Sequence, residues 1–118
     1  MPGRGLVERG CELNAAVSDP TRMKMIKVLG SHPRHSLTVS DVARILGVSQ
    51  PAATKQLKVL HRVGLVDPKR IGQAVCYSIN EETVAEYHRV MEHAFAHAAT
   101  PCVNGYDCDT CPYRETCV

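Results

Sequence analysis

Aromatic residues and long apolar runs are scarce in this sequence of 118 residues. It has no tryptophan, one phenylalanine and four tyrosines, so its core must be built mainly from Leu, Val, Ile, Met and Ala. No apolar run approaches the roughly 20 residues that cross a bilayer, and the start MPGRGLVERGCELN lacks the apolar stretch of a secretory signal. We therefore expect a cytoplasmic protein with one main domain and no membrane partner.

Acidic residues are nearly missing from the middle of the chain. Residues 20–72 contain ten Lys or Arg against two acids, a net charge of +8, whereas residues 73–118 contain two basic residues against seven acids, a net charge of −5. This asymmetry indicates that the middle segment meets a polyanion. A solvated basic face without a partner would show the same composition.

Common enzyme signatures are also missing from the sequence. It contains no glycine-rich phosphate loop, no nucleophile elbow and no His-Glu-x-x-His pair. We therefore predict that the chain is not an enzyme.

Capping residues and apolar spacing predict three helices in the middle of the chain. The first runs from Asp19 to a stop at Gly30, the second from Thr38 to Leu46, and the third begins at the cap Ser49 and ends before Gly64. The predicted inward positions are Met23, Ile26 and Leu29 in the first helix, Val42, Ile45 and Leu46 in the second, and Ala53, Leu57 and Leu60 in the third.

The pattern then changes to that of a hairpin followed by a long helix. Two β-prone runs, 65–71 and 74–79, are separated by Gly72 and Gln73. Asn80 caps a helix over 81–98, and its apolar stripe is suited to packing against a partner helix. That stripe consists of Val84, Tyr87, Met91, Ala94, Phe95 and Ala98. The predicted fold class is mainly α with a small β-hairpin.

Two helices joined by a short glycine-containing turn and followed by a basic hairpin form a winged helix-turn-helix. In that arrangement the second helix of the pair enters the major groove and the hairpin contacts flanking phosphates or the minor groove. The candidate base-contacting residues are Ser49, Gln50 and Thr54, with Lys55 as a donor to guanine. The candidate phosphate contacts are Lys55, Lys58, Arg62, Lys69 and Arg70.

Three segments in this order resemble the ArsR/SmtB family of winged-helix transcriptional repressors. They are SDPTRMKMIKVL (18–29), LTVSDVARILGVSQPAATKQLKVLHRVGLV (37–66) and GQAVCYSI (72–79). The resemblance implies a homodimer joined through the N-terminal and last helices, an inverted-repeat operator in double-stranded DNA, and release of DNA when a metal ion or thiol-reactive species is sensed. The family position of a frequent Gln-His pair holds Lys55 and Gln56 here.

A cysteine-rich tail follows the winged helix, so we divide the chain into a DNA-binding and dimerisation domain (1–100) and a metal- or cluster-binding tail (101–118). Four cysteines lie within it, and a reducing compartment favours metal ligation over disulfides. Their spacing suits a zinc site of four thiolates, and also resembles part of an iron–sulfur cysteine pattern. Arsenite or antimonite as inducer is the third alternative. The cysteines are Cys102, Cys108, Cys111 and Cys117.

The last predicted helix holds a second candidate metal site. Glu86, His93 and His97 lie on one face of it, and zinc needs three or four convergent ligands. A purely structural zinc site in the tail is a separate alternative. Cys11 is expected to be a small buried residue, or to add a ligand across the dimer, and Cys76 is expected to pack within the hairpin.

Overall fold

The computed structural model describes residues 5–96 and 101–114, which form five helices and one three-stranded sheet. No helix within these residues is both long and apolar enough to span a membrane. The elements in chain order are α1 (Leu6–Val17), α2 (Pro20–Ser31), β1 (Leu37–Thr38), α3 (Val39–Leu46), α4 (Gln50–Arg62), β2 (Val66–Ile71), β3 (Ala74–Ile79) and α5 (Glu81–Ala96).

Side-chain caps fix the starts of four helices where the sequence predicts them. The Asp19, Ser49 and Asn80 side chains each accept a hydrogen bond from a backbone N–H in the first turn. Thr38 caps α3 and exchanges hydrogen bonds with Asp41 in a capping box. The predicted stop at Gly30 is wrong by one residue, because α2 continues to Ser31.

The core lies where α2, α3 and α4 meet the sheet, and α1 closes one side of it. Ala53, Leu57 and Leu60 are buried as the spacing predicts. In α2, however, Met23 is 50% exposed and Met25 is buried in its place. The reason is that Arg22 takes the inward position at the start of this helix, with its guanidinium bonded to α1 and α4.

The second correction to the core concerns α3. Ile45 is 44% exposed, whereas Val42 and Ala43 are buried and Leu46 packs against the core in part. An eight-residue helix has little more than two turns, and Ile45 lies at the edge of its apolar face.

The sheet is antiparallel with strand order β1-β3-β2. The predicted hairpin is confirmed, with β2 and β3 joined at Gly72 and Gln73. The sequence did not predict β1, whose two residues pair with β3 as Leu37–Tyr77 and Thr38–Cys76. This pairing attaches the start of α3 to the hairpin.

Helix α5 packs against α1, and Gly10 lies in this contact. A Cβ placed at Gly10 would lie 2.9 Å from Cγ1 of Val90 and 3.0 Å from Cε of Met91. Tyr87 donates its hydroxyl proton to Oδ1 of Asn14 one turn away. Within the described residues the predicted stripe of α5 is buried in part, since Phe95 is 77% exposed. Ala98 lies outside the described residues.

Candidate nucleic-acid interface

The outer face of α4 is the most continuous basic surface among the residues predicted to contact DNA. Its N-terminal cap is Ser49, whose Oγ accepts from the backbone N–H of Ala52 at 3.2 Å. Burial of the apolar positions on the inner face turns the polar positions outward. No acidic residue occurs in the helix, so its exposed face carries positive charge only.

Four predicted residues line one open depression of about 530 Å³ along this face. They are Gln50, Thr54, Lys55 and Lys58, together with Pro51. Their spacing of about four residues places them on successive turns of one side of the helix. Arg62 follows Lys58 by four residues, is exposed, and extends this basic row to the end of α4.

Lys69 and Arg70 extend from opposite faces of the hairpin, because successive residues of a strand alternate. Arg70 pairs with Val75 on the face that also holds the buried Tyr77. Lys69 pairs with Cys76 on the other face. Both basic residues are exposed. Arg70 lies on the face of the hairpin that is directed towards α3 and α4.

A second depression, of about 360 Å³, separates α4 from the hairpin. Gln50 and Thr54 line this depression as well as the first, so they form the ridge between the two. Its other walls are the start of α3 and the end of the hairpin. We call it the hairpin cleft; its remaining lining residues are Thr38, Val39, Ser40, Gln73, Ala74 and Val75.

Asp41, one of the two acids in the basic segment, is held in a network beside this cleft. Its carboxylate accepts from Nη2 of Arg34 at 3.2 Å, from Nη2 of Arg44 at 3.1 Å and from the backbone N–H of Thr38. Hydrogen bonds with Thr38, followed by the charges of Arg34 and Arg44, lower the pKa of Asp41. Its negative charge is therefore compensated locally.

Two arginines that the sequence analysis did not single out fix α4 against α1. Arg22 donates through Nη1 to Oε1 of Gln56 at 2.7 Å and through Nε to the carbonyl of Ala16 at the end of α1. Arg9 donates through Nη2 to the carbonyl of Val63 at the end of α4, at 3.0 Å. These bonds join residues 34 and 54 positions apart, so helical periodicity carries no signal for them.

The carboxylate of Glu86, a candidate ligand on α5, is paired with Arg9. Nη2 of Arg9 lies 2.9 Å from Oε1 and Nε lies 3.2 Å from Oε2, which makes a two-point contact. Hydrogen bonding from Arg9 lowers the pKa of Glu86, and the positive charges of Arg9 and Arg89 act in the same direction. A metal bound by Glu86 would have to displace this arginine.

Of the other candidate ligands of this second metal site, one shares a surface depression with Glu86. His93 lines a depression of about 290 Å³ with Glu86, Leu6, Arg89 and Val90. His97 lies outside the described residues. Cys11 is exposed on α1, so the expectation that it is buried is wrong.

In the described part of the tail, Cys102, Cys108 and Cys111 lie in or beside short turns. The backbone N–H of Asn104 donates to Sγ of Cys102 at 3.3 Å, and that of Tyr113 donates to Sγ of Cys111 at 3.4 Å. Cys108 begins a turn that its carbonyl closes with the N–H of Cys111. Cys117 lies outside the described residues. Within 5–96 and 101–114, no three His, Cys, Asp or Glu residues converge as a metal site.

Comparison with known proteins agrees with this architecture. A helix-turn-helix domain model matches residues 17–68. The transcriptional repressor SmtB of Mycobacterium tuberculosis is 31% identical over 97 residues, which cover 82% of this chain and 67% of the repressor. The chain belongs to the ArsR/SmtB family of winged-helix transcriptional regulators. Since the relatives are regulators, the prediction that the chain is not an enzyme is confirmed.

Other members of the ArsR/SmtB family resemble this chain in sequence or in structure. A cadmium resistance regulatory protein CadC homolog from Staphylococcus aureus is 35% identical over 82 residues, 70% of this chain and 64% of that protein. An ArsR-like regulator from Rhodococcus has a TM-score of 0.67 at 28% identity, covering 76% of this chain and 82% of that one. This chain spans only about three fifths of the length of several curated relatives, for example 61% of an SmtB homolog from Synechocystis.

One further structure shares the fold alone. It is the homodimeric winged helix-turn-helix DNA-binding domain of a Mycobacterium bovis protein, with a TM-score of 0.62 at 19% identity, covering 82% of this chain and 90% of that one. The predicted winged helix-turn-helix fold is confirmed by these neighbours together with the three-stranded sheet and five helices.

Proposed function

We propose that this protein is a DNA-binding transcriptional repressor that inserts α4 into the major groove of its operator. The observation that carries the proposal is the acid-free outer face of α4, flanked by the basic hairpin. Lys55, Lys58 and Arg62 would neutralise phosphates, together with Lys69 and Arg70 of the hairpin. Ser49, Gln50 and Thr54, which can donate and accept hydrogen bonds, would contact base edges.

A homodimer on an inverted-repeat operator is the assembly that we propose. Residues 1–100 would form the DNA-binding and dimerisation domain, joined to a second copy through α1 and α5. Leu6, Val7 and Phe95 on these two helices are large apolar side chains left exposed, as expected of surfaces that a partner covers. The Mycobacterium bovis neighbour is homodimeric, and two recognition helices one DNA turn apart would match two half-sites.

The salt dependence of DNA binding tests the proposal. A duplex selected from a random pool by the full-length protein serves as the probe. Lys58→Ala should lower the slope of log affinity against log salt by about 0.9, the loss of one neutralised phosphate. Lys27→Ala removes an exposed lysine of α2 outside the interface and should leave the slope unchanged. Equal slopes for wild type and Lys58→Ala, or no binding to any duplex, would contradict the proposal.

We further propose that a soft metal ion, an iron–sulfur cluster or a thiol-reactive species bound by the tail modulates operator affinity. Four thiolates can hold zinc or a cluster, and three can hold arsenite or antimonite. The N–H bonds to Sγ of Cys102 and Cys111 support this proposal, because such bonds tune sulfurs that act as ligands. Ligation by Cys108 and Cys117 would complete the set.

The tail follows α5 in the chain, so a ligand at Cys102 would act on the end of the proposed dimer helix. A coupling of roughly 1–3 kcal/mol would change operator affinity by a factor of about 5 to 150. Cys108→Ser/Cys111→Ser should abolish both metal retention and this response, as measured by metal analysis after anaerobic purification and by operator titration. Cys76→Ser, in the hairpin, should retain the metal. If the double variant still retains the metal and still responds to it, the proposal that the tail is the sensor is wrong.

One alternative is a sensing site at Glu86, His93 and His97, with Cys11 as an added ligand, and another is a purely structural zinc site in the tail. The two-point contact of Glu86 with Arg9 favours the tail instead, because that carboxylate already has a cationic partner. His93→Ala should leave the metal content and the operator response unchanged. Loss of the response in this variant alone would favour the α5 site.

A further inference from the structure

Gln56 lies on the flank of α4, between its buried face and its exposed basic face. It is half-buried and lies three positions after the buried Ala53 and four before the buried Leu60. Its Oε1 accepts from Nη1 of Arg22 at 2.7 Å. We propose that the contact between Arg22 and Gln56 sets the rotation of α4 in the major groove and so determines which base edges the helix reads. This inference rests on the proposed DNA binding by α4.

The contact fixes the direction of the Gln56 amide. A guanidinium carries donors and no acceptor, so the amide must turn its oxygen towards Arg22. Glutamine reads adenine by using its amide oxygen and nitrogen together. Because Oε1 is engaged by Arg22, Gln56 lacks the acceptor for that pair. It acts as a positioning residue behind Gln50 and Thr54, which form the outer ridge.

Arg22 is itself held at the junction of α1 and α2. Its Nε and Nη2 donate to the carbonyls of Ala16 and Ala15 at the end of α1. Its backbone N–H donates to Oδ2 of Asp19 at 3.1 Å in the cap of α2. A cation is favoured beside the carbonyls at a helix end, which lack partners within the helix. Since the guanidinium is planar, these bonds direct Nη1 towards α4.

Two arginines restrain α4 in different ways. Arg9 bonds the carbonyl of Val63, and a bond to a helix-end carbonyl acts mainly along the helix axis. The side chain of Gln56 projects sideways from α4, so its bond with Arg22 resists rotation about that axis. Packing of the buried face is non-directional and by itself allows small rotations. A hydrogen bond, in contrast, requires a separation of roughly 2.7–3.2 Å.

A small rotation of α4 is enough to alter base reading. Side-chain atoms at the edge of a helix lie about 6 Å from its axis, so a rotation of about 10° moves them by about 1 Å. Such a shift takes Gln50 or Thr54 out of hydrogen-bonding range of a base edge. One base contact contributes roughly tenfold to discrimination. Flexible lysines that neutralise phosphates can follow the shift, so the salt slope should stay unchanged.

The test measures the ratio of the affinities of the full-length chain for the selected duplex and for a scrambled duplex of equal length. Loss of folded protein lowers both affinities alike, so the ratio reports base reading by the folded molecules. Gln56→Met should lower the ratio about tenfold without changing the salt slope. Gln56→Glu keeps an acceptor for Arg22 and should retain the wild-type ratio, although its charge weakens binding to both duplexes.

A second pair of variants tests the arginine. Arg22→Lys keeps the positive charge but loses the planar set of donors, so it should lower the ratio as Gln56→Met does. Lys27→Met changes an exposed position of the same helix and should retain the wild-type ratio. Salt slopes measured on the selected duplex should be equal for the wild type, Gln56→Met and Lys27→Met.

The outcomes separate the positioning role from the function on which it rests. A wild-type ratio in Gln56→Met or in Arg22→Lys overturns the positioning role and leaves DNA binding by α4 in place. A tenfold loss in Gln56→Glu as well as in Gln56→Met overturns it in favour of direct base contact by Gln56. If the wild-type chain binds no duplex, or binds the two duplexes equally, the proposed base reading by α4 is wrong as well.

Discussion

The two glycines inside helices should respond to alanine with opposite signs. In α1, Gly10 lies at the crossing with α5, where a new Cβ would be 2.9 Å from Cγ1 of Val90. In α2, a Cβ at Gly30 would have Ile79 as its nearest neighbour, at an ordinary 3.9 Å. Alanine gains up to about 1 kcal/mol over glycine by helix propensity at either site.

Steric overlap decides the sign at Gly10. Val90 is buried and β-branched, so it cannot yield as the flexible end of Met91 can. Overpacking costs about 1–3 kcal/mol, and subtraction of the propensity gain leaves Gly10→Ala less stable than wild type by about 1 kcal/mol. Gly30→Ala should be more stable by about 0.5–1 kcal/mol.

Urea unfolding followed by circular dichroism measures both changes. All variants are compared at one protein concentration, because self-association would shift the apparent stability. In a Val90→Ala background the overlap is removed, so Gly10→Ala should then be stabilising. Equal or greater stability of Gly10→Ala in the wild-type background would refute the close helix crossing.

Three further predictions concern the contacts that hold α4 and α5. Hydrogen bonding from Arg9 lowers the pKa of Glu86 below its ordinary value of 4.5. The pair therefore stabilises the fold above that pH, and its contribution is lost as the pH falls through the folded-state pKa. Glu86→Gln removes this titration and should flatten the loss of stability in acid unfolding curves. Arg22→Met should lower the free energy of unfolding by about 1–3 kcal/mol, since it leaves helix-end carbonyls without a charged donor, and Gln56→Leu should cost less in the same urea assay. Leu57→Ala should cost about 2–5 kcal/mol by leaving a cavity under α4, and a smaller loss would place the helix nearer to the surface.

Local signals in the sequence were sufficient for most of the architecture. Caps at Thr38 and Ser49 and the apolar spacing of α4 depend on residues three or four apart, and the hairpin turn depends on Gly72. Gly72 has φ +64°, a conformation that glycine adopts without strain. These features are determined within one or two turns of the chain, so a pattern of neighbouring residues predicts them.

Features that depend on distant partners were missed. The strand β1 has only two residues and exists through its pairing with β3, about 40 positions later. The inward position of Arg22, where the sequence analysis placed Met23, depends on Gln56 of α4, 34 positions later, as well as on the carbonyl groups at the end of α1. The contact of Arg9 with Glu86 spans 77 positions. At the candidate site, therefore, the sequence identified the charged face of α4 but not the arginines behind it.

The contacts of Arg9 have a mechanical consequence for the recognition helix. One flat guanidinium joins α5 through Glu86 and α4 through the carbonyl of Val63, and its N–H directions are fixed. A small tilt of α5 would therefore be transmitted to the end of α4. A rotation that moved Glu86 away from Arg9 would break this connection between the two helices. The connection between the two helices therefore lasts only while Glu86 stays within hydrogen-bonding distance of Arg9.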